Sequence, residues 1–305
     1  MEIEQIVIIV LIISSFLVNI SVITVLAYHW SKLLDRDLIV LSLAILNLIE
    51  STIGYPYLIV DYKRNPVLPP STQCVMSAFI VTATSIATIS HIVMLSIEMY
   101  IKLKSASLIL NQRSKQRRGC VFRHYVLPCW MYGLLWGLMP FLGWSNYGKE
   151  TKHGYRCSMN LREKTINVTS YNVGLFVGAF VLPIAIVMRM YVGIAKSLDV
   201  LRKNAVITNG SRSYMEKQTR KQYERSFFFN ACTMCLFVVV WAPYSACVIA
   251  MTVFGREPSQ IVLTLAAVMA KTSSLYNSLI YTIVYKQFRC KLRNTWNKIV
   301  KTLPH

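Results

Sequence analysis

Charge is scarce in this chain. Of its 305 residues 15% are charged and 54% are hydrophobic, and only 13 are acidic against 33 Lys and Arg. A water-soluble domain of this length would carry more charge, so the composition excludes one and points to a chain that crosses a membrane several times. The net charge of +20 would suggest nucleic acid in a soluble protein. In a membrane protein, anionic inner-leaflet lipid and cytoplasmic partners account for it, and no nucleic-acid role is expected. No basic stretch precedes the first apolar run at Ile6, so that run reads as a span and not as a cleavable signal. Nor do the eight cysteines make a disulfide framework. Cys129, Cys232, Cys235 and Cys247 lie inside apolar runs, and Cys120 and Cys290 sit in basic connections. No metal site and no catalytic set is assigned.

What the chain has in abundance is long apolar runs. They fall at about 6–28, 38–60, 75–98, 121–143, 170–192, 226–251 and 260–285, seven in all. The fold expected is all-α: a seven-transmembrane-helix bundle over residues 1–290, with residues 291–305 as a short cytoplasmic tail. Of the 33 cations, 24 lie in the connections after runs one, three and five and in the tail, eight lie in the alternate connections, and Lys271 is the one left over. The positive-inside bias then puts the N-terminus outside and the C-terminus in the cytoplasm. With that orientation only Cys74 and Cys157 face the oxidising side, and they are expected to pair, tying span three to the loop after span four. Asn167-Val168-Thr169 is an outer glycosylation sequon, whereas Asn209-Gly210-Ser211 falls on the cytoplasmic side.

Lys271 is eleven residues into the seventh run, about 16 Å deep. A charge there costs at least about 2.5–3.5 kcal/mol, so it should face the protein interior and have a partner. Neither membrane face is within reach of its stem, which leaves a structural ion pair or a functional amine. An amine stripped of water is also a better nucleophile toward an aldehyde. Glu50 lies at comparable depth in the second run, where it either balances Lys271 as a carboxylate or stands protonated and hydrogen-bonded to a neighbouring helix. Asn19, Asn47 and Asn277 read as interhelical hydrogen-bonding residues, and Pro56 as a kink.

The residues around Lys271 carry a resemblance. It is followed by Asn277-Ser278-Leu279-Ile280-Tyr281 and then Phe288-Arg289, and span six contains Trp241-Ala242-Pro243-Tyr244. Span four ends in Met139-Pro140-Phe141-Leu142-Gly143-Trp144, leading through Tyr147-Gly148 and Glu150 to Cys157. Together these resemble the opsins, rhodopsin-like seven-helix receptors. With Ser90-His91-Ile92 they look most like the retinochrome, peropsin and neuropsin branch. The resemblance implies retinal, 11-cis or all-trans, bound covalently to Lys271 as a Schiff base, with Trp241 and Tyr244 lining its pocket. It implies Glu150 as a counterion candidate beside Glu50, counted from Trp144; counted back from Cys157 the position falls on Thr151. It further implies a plasma-membrane receptor acting on a heterotrimeric G protein, and an amphipathic helix lying on membrane lipid after Arg289.

Several positions depart from the opsin pattern. Ser278 stands where the family has Pro, Asn47 where Asp is usual, and Ser77 where vertebrate visual opsins keep a carboxylate. In the switch triplet Glu98-Met99-Tyr100, Met99 replaces the Arg that meets the G protein. Three functions therefore compete: a light-sensing G-protein-coupled receptor, a retinochrome-like retinal photoisomerase, and a non-opsin ligand receptor in which Lys271 is incidental.

Overall fold

The structure is a computed structural model and describes residues 3–57, 70–108, 120, 122–150, 156–207 and 211–302. Long apolar segments give the helices α1 (Ile3–Tyr28), α2 (Asp35–Ile49), α3 (Thr72–Leu108) and α4 (Leu127–Leu138). A π-helical turn, Phe122–Val126, leads into α4. Next come the strands β1 (Tyr147–Lys149) and β2 (Cys157–Met159), an antiparallel pair that aligns Lys149 with Cys157. Helix α5 consists of Ile166–Phe176 and Leu182–Ile207, joined by the π-helical turn Val177–Val181. Helix α6 is Ser211–Thr252. Helix α7 consists of Gln260–Lys271 and Ser273–Val284, and α8 is Lys286–Thr302.

Among the described residues six helices are individually long and apolar enough to cross a bilayer. The seventh segment is cut at Thr272 into halves of 12 residues each. Helices three, five and six run further than their apolar stretches. Helix α5 reaches Ile207 and α6 begins at Ser211, so the basic segment between spans five and six is mostly helix; residues 208–210 lie outside the described residues.

Local chemistry explains the ends and irregularities. Thr165 and Ser259 cap α5 and α7, their side chains accepting from the amides of Val168 and Val262. Helix α2 loosens into the π-helical turn Glu50–Gly54 immediately before Pro56, whose ring cannot follow a regular turn. The π-helical turn in α5 likewise lies just ahead of Pro183.

Helix α3 is the central post. Gly133 lets α4 approach it so closely that an added Cβ would sit 2.3 Å from the Ala83 carbonyl oxygen. A buried chain then joins three helices. The Trp130 indole donates to Ser42 Oγ at 2.8 Å, Ser42 donates to His91 Nε2 at 2.9 Å, and His91 Nδ1 donates to the Ala87 carbonyl at 2.7 Å. These bonds make His91 a structural residue that joins α2 to α3.

At the end away from the hairpin, Phe229 lies against Tyr281 and Tyr285 in a buried cluster that also contains Leu26, Ile39 and Phe288. Arg36, at the start of α2, reaches into this cluster. Its Nη1 donates to Ser226 Oγ of α6 at 2.8 Å, and its guanidinium lies 4.2 Å from the centre of the Tyr285 ring.

Candidate functional site

Beneath the β-hairpin, at its end of the bundle, is a partly open chamber of about 130 Å³. Phe176, Phe180, Phe237, Trp241 and Tyr244 form an aromatic wall, and Ala78, Val81, Ile86, Ala267 and Ala270 supply apolar contact. Four ionisable side chains also reach it: Lys271, Glu50, Glu150 and Arg156. Candidates drawn from α2, α6, α7 and the hairpin thus share one space. Flat rings around a largely apolar slot suit a long conjugated ligand, and a few polar groups are enough to fix its orientation.

Lys271 closes the upper half of α7. Its carbonyl lies at the break, where the helix tightens: Thr272 N bonds Met269 O at 3.1 Å and Leu275 N bonds Thr272 O at 3.0 Å. Side chains take over that carbonyl, with Tyr55 Oη at 3.0 Å and Ser274 Oγ at 3.1 Å. Lys271 Nζ lies 6.0 Å from the centre of the Tyr55 ring. Among the described residues it makes no ion pair within 4.0 Å.

The two carboxylates differ in their company. Glu50 is buried and accepts, on Oε1, from Tyr55 Oη at 2.9 Å and Ser85 Oγ at 3.0 Å. Tyr55 has one proton and two acceptors, Glu50 and the Lys271 carbonyl, so it fully serves one of them at a time. Glu150 is also buried, with its amide bonded to the Arg156 carbonyl at 2.9 Å as the hairpin continues past Lys149. Its Oε2 accepts from Arg156 Nε at 2.8 Å and its Oε1 from Tyr244 Oη at 2.9 Å. Glu150 lines the chamber; Thr151 lies outside the described residues. Ser77 Oγ is spent on the Gly54 carbonyl at 2.6 Å.

Arg156 is the site residue that sequence reasoning missed, having been counted only as one more outer-loop cation. The signal was its place next to Cys157, because a half-cystine fixes where its neighbour can point. Besides Glu150, its Nη1 donates to Glu4 of α1 at 2.7 Å and to Thr264 of α7 at 2.9 Å. Burial works against its charge, but Glu150 and Glu4 outweigh that and hold the guanidinium protonated well above its ordinary range. Cys74 and Cys157 are disulfide-bonded, with Cα atoms 5.4 Å apart, and this anchors the hairpin on α3.

The switch residues lie at the other end. Glu98 pairs with Lys102 at 2.5 Å, and Lys102 also reaches Asp35 at 2.6 Å. Met99 is buried against Leu103, Ile194 and Leu198, and Asn230 of α6 donates to the Leu95 carbonyl at 3.2 Å. Tyr281 donates to Asp37 at 2.9 Å. Asn277 Nδ2 bonds within its own helix to Ser273 O, and Ser278 donates to Asn19 Oδ1 at 2.6 Å.

The family pattern described as 7 transmembrane receptor (rhodopsin family) matches residues 18–281. The chain belongs to this family. It is an integral membrane protein of the rhodopsin-like seven-helix fold. Among its relatives is Melanopsin-B of Xenopus laevis, 25% identical over 262 residues, which cover 84% of this chain and 47% of that one. Another is the visual pigment-like receptor peropsin of Homo sapiens, 23% identical over 278 residues, covering 90% of this chain and 78% of that one. The chain spans about half the length of the melanopsins it matches. The crystal structure of squid rhodopsin superposes with a TM-score of 0.84 at 18% identity, covering 99% of this chain and 87% of that one, a likeness of fold.

Proposed function

We propose that this protein is a light-sensing opsin that holds retinal covalently at Lys271. The observation that carries the reading is an amine, without an ion pair among the described residues, opening into an aromatic chamber that also contains two buried carboxylates. The residues fit the group: an apolar slot for a polyene, an amine for its aldehyde, and carboxylates for the charge. Retinal bound there supplies an absorbing polyene that changes isomer in light. Lys271 would supply the amine to the aldehyde carbon, with water as the other product. Trp241 and Tyr244 confine the ligand. Pro243 interrupts the hydrogen bonding of α6 just beyond Trp241, which gives that helix a bend through which pressure in the chamber can reach its inner end. Relatives whose names are melanopsin, pinopsin and visual pigment-like receptor support the reading.

The orientation proposed is N-terminus outside and C-terminus in the cytoplasm, at the plasma membrane. It is supported by the cation asymmetry and by the disulfide, which belongs on the oxidising side. The output proposed is activation of a heterotrimeric G protein. Met99 favours a second reading, a retinal photoisomerase, because an apolar side chain is packed where the family's Arg meets its partner. Light-dependent nucleotide exchange on a G protein supports the receptor. Its absence, together with light-driven isomer conversion in extracted chromophore, supports the isomerase.

The test of the shared premise is chemical. Apoprotein incubated with 11-cis or all-trans retinal and reduced with borohydride should carry its mass label on Lys271. Lys271→Ala should give no visible pigment; a normal spectrum from that variant refutes the attachment.

A further inference from the structure

The chamber holds a second cation that the proposed chemistry does not use. Arg156 is placed by the disulfide beside Cys157, and only 8% of its side chain is exposed. A buried guanidinium needs partners on its fork, and here Nε and Nη1 are taken by Glu150, Glu4 and Thr264. Glu150 is equally committed, one oxygen to Arg156 and the other to Tyr244. Arg156 is shared between Glu150 and Glu4, so the trio keeps one net negative charge spread over two carboxylates, and Glu150 is the one in contact with the guanidinium inside the chamber. Its attraction for a third charge is largely cancelled by its partner's repulsion. Glu50 is different: its partners are the neutral hydroxyls of Tyr55 and Ser85, and among the described residues it makes no ion pair. Tyr55 also links it to Lys271, since the same hydroxyl lies against the Lys271 carbonyl.

We propose that Arg156 is a resident cation that occupies Glu150, so that positive charge at Lys271 Nζ is compensated by Glu50. Arg156 is then a positioning residue: it decides which carboxylate is free to act. This rests on Lys271 as the retinal attachment point.

Two measurements test it, one without retinal. In apoprotein, thermal unfolding of Glu150→Gln, Arg156→Gln and their double variant should be strongly non-additive, while Glu50→Gln and Arg156→Gln should add. An additive Glu150–Arg156 cycle overturns the pairing. The second is spectroscopic, at neutral pH, after borohydride mapping has found the label on Lys271 in the wild type; a label elsewhere refutes the attachment reading and not the pairing. Glu50→Gln should move the visible band to the ultraviolet, and Glu150→Gln should leave it visible. Glu50→Asp, which keeps the charge, should keep the band. The decisive variant combines Glu50→Gln with Arg156→Gln, because Glu150 is then released and the visible band should return. A double variant that stays in the ultraviolet overturns the proposal. So does a visible band that survives Glu50→Gln alone.

Discussion

Replacing Arg36 with Ala should loosen the end of the bundle away from the hairpin. In this family the side chain expected to hold α3 to its neighbours there is an Arg, and this chain has Met99 in its place. Arg36 enters the same region from α2, bonding Ser226 of α6 at 2.8 Å and lying 4.2 Å from the Tyr285 ring. Tyr285 in turn bonds Ser226 at 3.3 Å, so three helices meet at one guanidinium. A hydrogen bond from a charged donor contributes about 1.5–3 kcal/mol, and a desolvated cation over an aromatic face adds about 0.5–2 kcal/mol. Asp37, 3.6 Å from the guanidinium, loses a compensating charge as well. Together Arg36→Ala should cost about 2–4 kcal/mol. Reversible unfolding in detergent, in a cycle with Ser226→Ala, reads both the total and the coupling. Spin labels at the exposed positions Phe122 and Lys221 should report a wider separation in the variant without light. A loss below about 0.5 kcal/mol, with additive single variants and an unchanged label distance, would sink the idea that Arg36 ties α6 down.

Three further outcomes follow from packing. Gly133→Ala should destabilise by about 1–3 kcal/mol in unfolding assays, because the new methyl meets backbone of α3 that has nowhere to retreat. Asn19→Ala should cost about 1–3 kcal/mol, since Asn19 joins α1 to the Ser274 carbonyl and the Ser278 hydroxyl. Removing the disulfide with Cys74→Ser should cost about 2–5 kcal/mol and release the hairpin; protease cutting between Lys149 and Cys157, compared with wild type, reads the second effect.

The seven spans were legible because a bilayer demands about twenty apolar residues from each, and that demand is visible in the letters. Lys271 was legible for the same reason, as a charge where charges are costly. The pairing of Cys74 with Cys157 followed from topology alone. Arg156 was not legible, because a cation in an outer loop looks solvated until the fold tucks it under the hairpin. The Tyr55 contact with Glu50 was hidden too, since it depends on a π-helical turn that resets the angular position of every residue after it. The break at Thr272 falls in the polar run Lys271-Thr272-Ser273-Ser274, residues that continue a helix equally well, so no break was read there. Helix α3 runs past its apolar stretch to Leu108, where polar residues continue the backbone hydrogen bonding.

That discontinuity at Thr272 sets what a pull on Lys271 can do. A continuous rod would pass a twist along its whole length, but here the lysine ends one short rod and Ser273 begins the next. The lower rod is gripped by α1 through Ser15 and Asn19, both bonded to the Ser274 carbonyl. A tug at the amine is therefore absorbed first at this articulated joint, where hydroxyls stand in for the missing backbone rungs. Those rungs can exchange partners without either half unwinding.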